Sequence, residues 1–137
     1  MALPTLIPLT LHLLVLIGLY ELAAGIAGLT GAIDWPKMID EFERSPALTF
    51  VTGFAAFAIG AAINIAHHHW TDLPAIIVSA IGWIAIVEGV MIMACPGPLL
   101  RFSRGLVRNP KLISLIAALV GVALILLGLT GRADSIL

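Results

Sequence analysis

Polar residues are sparse and unevenly placed along this chain, and the gaps between them set the first expectation. Four stretches, roughly 9–29, 47–66, 73–94 and 112–130, are apolar almost without interruption. A bilayer core about 30 Å thick needs ~20 residues of helix to cross it, and each stretch is long enough. The runs lack the in-out alternation of barrel strands, so they predict helices. Ser45 and Asn109 stand directly before Pro46 and Pro110, and Asp72 stands before Leu73. Each is a side chain that accepts from the first turn of a helix, and proline is suited to the first helical position. The fold class expected is an all-α four-transmembrane-helix bundle forming a single domain over residues 1–137.

The connections carry a different pattern. Trp35, Met38, Ile39 and Phe42 recur at helical spacing between charged residues, which predicts a short amphipathic helix at the membrane interface. Leu99, Phe102 and Leu106 do the same among Arg101, Arg104 and Arg108. Trp35, Phe42, Trp70 and Phe102 are the expected interface anchors, because aromatic side chains favour the headgroup region. The middle connection, His67-His68-His69-Trp70-Thr71-Asp72, reads as a turn. Span, interfacial helix and span thus occur twice, and Ser45-Pro46-Ala47-Leu48 matches Asn109-Pro110-Lys111-Leu112. That suggests a parallel internal repeat about an axis along the membrane normal.

Composition agrees with a membrane setting. The 137 residues are 61% hydrophobic and 11% charged, against about 25% charged in a soluble domain. The net charge of −1 gives no footprint for nucleic acid. One cysteine, Cys95, leaves no internal disulfide. The first eleven residues hold no Lys or Arg, so the first apolar segment is expected to be a retained helix and not a cleaved leader. Six of the seven Lys and Arg residues fall in the first and third connections. Positive charge marks the cytoplasmic side, which puts those loops inside and both termini outside, in a bacterial inner membrane.

Against this background two charges stand out. Glu21 is the only charged residue from Met1 to Ile33, and Glu88 the only one from Leu73 to Leu100. A central acidic residue costs roughly 2.5–3.5 kcal/mol on insertion scales, so an intramembrane carboxylate marks a functional site by default. Holding a glutamate neutral at pH 7 costs a similar amount, about 3.7 kcal/mol, so either protonation state is accessible. Both residues lie within about 9–12 Å of the cytoplasmic helix end, where they could instead pair with Arg101, Arg104 or Arg108. Glu21 shares a helical face with Gly18, Gly25 and Gly28, small residues that admit a neighbouring helix. Asn64, on a polar stripe of the second span with Thr49, Gly53, Gly60 and His67, is a third candidate for binding an ion or proton. His68, His69 and Asp72 have the spacing of a weak surface metal site. No nucleophile–base pair or phosphate-cradling loop occurs, so neither an enzyme nor a cofactor is expected.

The run from Ser45-Pro46-Ala47-Leu48 to His68 and Trp70, with Gly82-Trp83, Glu88-Gly89 and Pro96, resembles a small uncharacterised bacterial four-span integral membrane protein family. The resemblance covers roughly residues 40–100. It implies a four-helix inner-membrane fold and no particular activity. Two functions fit the residues. One is a proton- or cation-linked transporter or channel using the intramembrane carboxylates. The other is a non-enzymatic accessory or scaffold subunit of a membrane complex. The expected partners are the lipid bilayer and other membrane proteins, or further copies of this chain.

Overall fold

The computed structural model describes residues 6–131, which form six helices and, among the described residues, no strand. They are α1 (Leu6–Thr30), α2 (Trp35–Arg44), α3 (Pro46–Ala66), α4 (Leu73–Ala94), α5 (Pro96–Leu106) and α6 (Pro110–Thr130). Four of them, α1, α3, α4 and α6, are long and apolar enough to cross a membrane. The caps explain where these helices begin. Ser45 accepts from the Leu48 N–H at 3.2 Å, Asp72 from Ala75 at 2.8 Å and Asn109 from Leu112 at 3.4 Å. The same device starts α2, where Asp34 accepts from Lys37 at 3.2 Å. α1 ends at Gly31, whose φ of +78° is reached cheaply only without a β-carbon.

The spans do not converge on one four-way interior. α1 packs along α6, and α3 packs along α4, whereas α1 and α4 touch only briefly. Glycine decides this arrangement. Gly18 of α1 and Gly121 of α6 lie against each other's backbone, as do Gly53 and Gly89, and Gly60 lies against the backbone of Gly82. Without a hydrophobic drive between helices in lipid, such close backbone approach is the main source of association. The small-residue faces are therefore consumed within each pair, and the pairs meet through larger side chains. Leu14 of α1, Val78 of α4 and Leu124 of α6 form the buried centre of that junction. Many large apolar residues of the spans, such as Phe54, Ile65 and Leu129, are exposed, as a lipid-facing surface requires.

A shift of 64 residues carries the C-terminus of α1 onto that of α4 and both bounds of α3 onto those of α6. The contacts obey the same operation, since α1 on α6 becomes α4 on α3. The shift also carries Gly18 and Gly25 onto Gly82 and Gly89. It turns Asp40 of α2 into Arg104 of α5, and these two equivalent positions face each other in an ion pair at 2.9 Å. Arg104 reaches Glu43 as well, at 3.0 Å. An acidic α2 and a basic α5 are thus complementary across the axis that relates the halves.

The short helices pack partly against protein. The side chains of Trp35 and Phe42 are half-buried, and the Trp35 indole N–H donates to the buried Ser114 Oγ at 2.9 Å. The reason is proximity: the apolar face of α2 finds protein beside it and buries Ile39 there. Trp70 and Phe102 are exposed. The Trp35 bond gives a first prediction. Trp35→Phe keeps the ring but removes the donor, and should cost about 0.5–1.5 kcal/mol. Faster amide exchange confined to α2 would report it; unchanged exchange would show that the bond does not hold α2 in place.

Candidate ion site between the helix pairs

Glu21 and Glu88 come from different pairs, on α1 and α4, the two spans that meet at the junction. They lie close enough to act on each other electrostatically. Glu21 is half-buried and Glu88 is exposed on the wall of a cleft. Among the described residues neither is ion-paired with Arg101, Arg104 or Arg108, and Arg104 is held by Asp40 and Glu43. The two glutamates are also not equivalents of one another in the repeat. The 64-residue shift puts Ala85 in the place of Glu21 and Ala24 in that of Glu88. They are therefore staggered by three residues, about 4.5 Å in depth.

Below them the pairs leave a cleft of about 310 Å³, floored by α2 and α5. Tyr20, Trp35, Phe42, Thr49, Thr52, Glu88 and Ser103 are among its lining residues, and Glu88 is the only charged one. A second cleft of about 510 Å³ lies between α2, α3, α4 and α5 and carries both Glu43 and Arg101.

The opposite end of the junction is closed by hydrogen bonds. His67 caps the C-terminus of α3 and is 1% exposed. Its Nε2 lies 2.7 Å from Thr10 Oγ1 of α1, and its Nδ1 lies 3.2 Å from Ser79 Oγ of α4. Ser79 spends its own proton on the His69 carbonyl at 2.7 Å, so it must accept from His67. That fixes the neutral ring as the Nδ1–H tautomer, leaving Nε2 to accept from Thr10. One histidine thereby ties α1 to both helices of the other pair.

Burial, with His69 nearby adding to it, pushes the His67 pKa below the ordinary 6.5. His68 acts in the same direction, and Asp72 opposes it. Below pH 6.5 the unfolded chain then binds more protons than the folded one, so stability drops as pH falls through that range and is flat above it. We expect the thermal midpoint in detergent to be constant from pH 8 to about 6.5 and to decline below. His67→Ala should remove much of that decline while costing roughly 1–3 kcal/mol at pH 8, because Thr10 and Ser79 stay buried without it. A wild-type midpoint that rises on acidification would contradict the assignment.

The other sequence candidates separate. Asn64 donates to Gly60 O at 3.0 Å and packs against Gly82, six residues before Glu88, so it is not part of the carboxylate pair. His68 and His69 stack on each other with ring centroids 5.0 Å apart, and Asp72 uses Oδ1 to cap α4. Among the described residues no three His, Cys, Asp or Glu side chains converge enough to hold a metal. Sequence reasoning missed the Thr10–His67–Ser79 link; its one signal was a lone hydroxyl near the same end of α1 and of α4. Comparison with family models, with curated proteins and with solved structures finds no match to this chain.

Proposed function

We propose that this chain is a multi-pass membrane transport protein that moves protons, or exchanges them for a cation, with Glu21 and Glu88 as the binding groups. The observation that carries the reading is the juxtaposition of two carboxylates from different helix pairs, neither of them ion-paired among the described residues. Had they been structural, a nearby arginine would be their natural partner; one such residue, Arg104, serves the α2–α5 contact instead. Each pair is packed backbone to backbone, so the pathway runs between the pairs, where the junction is short. The staggered depth of the two glutamates gives a proton or cation two successive stations along that route. The excess of Lys and Arg on the α2–α5 side supports a cytoplasmic position for the cleft, in a bacterial inner membrane, with His67 at the outer face.

A hydrophobic carbodiimide tests this. It reaches carboxyl groups inside a bilayer and needs them protonated at some point in their cycle. We expect an adduct on Glu21 or Glu88 by mass spectrometry, lost in the corresponding Gln variant. Modification confined to Asp40, Glu41 and Glu43 would remove the proposal.

A further inference from the structure

We propose that the cleft beneath Glu88 binds an organic cation with an apolar body. This rests on the reading above only in taking Glu88 as an ionised, exchangeable group. Three features of the cleft point to that ligand class. Its only charged lining residue is a carboxylate, and a second carboxyl group, Glu21, lies close by. Tyr20, Trp35 and Phe42 contribute aromatic rings, whose faces attract cations and whose area suits an apolar group. The volume, about 310 Å³, falls at the small end of ligand pockets, roughly 300–1,000 Å³.

Other occupants fit less well. An anion meets only negative charge. A neutral apolar molecule would cover Glu88 and leave it without either water or a counter-charge. A small metal ion needs several converging ligands, and no such cluster exists among the described residues. The neighbouring cleft of about 510 Å³ is a useful contrast, because Glu43 and Arg101 together give it no preference of sign.

The repeat sharpens the argument. Trp35 and Leu99, and Phe42 and Leu106, are equivalents under the 64-residue shift, and all four line the cleft. The cleft therefore lies where the two halves face each other. Its rings come from the first half and its carboxylate from the second. One half offers the cation a π surface and the other a counter-charge. Tyr20 lines the cleft and is itself 71% exposed on a membrane-spanning helix, which offers an amphipathic cation in the membrane interface a way in.

Equilibrium binding of benzyltrimethylammonium to the purified full chain in neutral detergent tests the proposal. Its neutral isostere neopentylbenzene and the anion benzylsulfonate serve as controls. The cation should bind at least tenfold more tightly than either control. Glu88→Gln should remove the preference for charge, and Tyr20→Leu should weaken the cation several-fold while leaving the isostere nearly unchanged. Equal affinity for cation and isostere in the wild type would overturn the site without reference to any variant. Repetition in nanodiscs with and without phosphatidylethanolamine separates a free solute from a lipid headgroup. Unchanged binding supports the former, and displacement by the lipid overturns it. Cation binding without proton flux would leave this site standing and remove the transport reading; flux without binding would do the reverse.

Discussion

Gly121→Leu, and separately Gly89→Leu, should each prevent the affected helix pair from forming, and the folded chain should be lost from detergent extracts. A β-carbon on Gly121 would stand 2.5 Å from the Leu22 nitrogen and 2.7 Å from the Gly18 carbonyl oxygen. One on Gly89 would stand 2.5 Å from the Phe57 nitrogen and 2.6 Å from the Gly53 carbonyl oxygen. These neighbours are backbone and cannot swing aside. Even alanine forces the helices apart, for which overpacking costs of about 1–3 kcal/mol are typical. Leucine must exceed that, against a total stability of only about 5–15 kcal/mol. Gly105 in α5 is the internal control, because nothing lies within 4 Å of a β-carbon there. Gly105→Ala should be neutral or stabilising by up to ~1 kcal/mol through helix propensity. Thermal unfolding followed by circular dichroism separates the two cases, and equal effects at Gly105 and Gly121 would refute the packing argument.

The second large effect is functional. Glu88→Gln and Glu21→Gln should each reduce proton flux in proteoliposomes by about 10²-fold or more, the low end of what a positioned proton-transferring side chain contributes. The stability of both variants should be unchanged or slightly raised. Glutamine keeps the shape but removes a charge whose insertion costs roughly 2.5–3.5 kcal/mol near the bilayer centre. This combination separates the two functions that the residues alone leave open. A glutamate that only holds helices together would lose stability on substitution while a scaffold showed no flux to lose. Glu88→Asp, which retains the acid on a shorter arm, should recover part of the activity.

How much of this was legible beforehand follows from which forces act locally. The four spans and their caps come from hydropathy and from Ser45, Asp72 and Asn109, all short-range properties, and the helices begin within three residues of where the pattern puts them. The glycine faces were legible too, but not their partners. Gly18 and Gly121, or Gly53 and Gly89, are matched by shape across long separations, and nothing in one stripe names the other. For the same reason the division of the bundle into two pairs was not legible. The amphipathic pattern of α2 looks the same whether its apolar face meets lipid or protein, so it did not show that Trp35 reaches Ser114. The carboxylates were found at once because each is alone in its span. Their juxtaposition was not, since it depends on α1 and α4 meeting at the junction. His67 was lost among two neighbouring histidines, although only it reaches Thr10 and Ser79.

The central claim is that two carboxylates between the helix pairs make this chain permeable to protons or to a cation exchanged for them. It is tested most directly by reconstituting wild-type protein alone into sealed vesicles of defined lipid, imposing a pH gradient with a permeant counter-ion, and following internal pH. Dissipation that is faster than in empty vesicles, scales with the amount of protein and is blocked by carbodiimide is the predicted result. A gradient that decays no faster with correctly folded protein than without it would contradict the account.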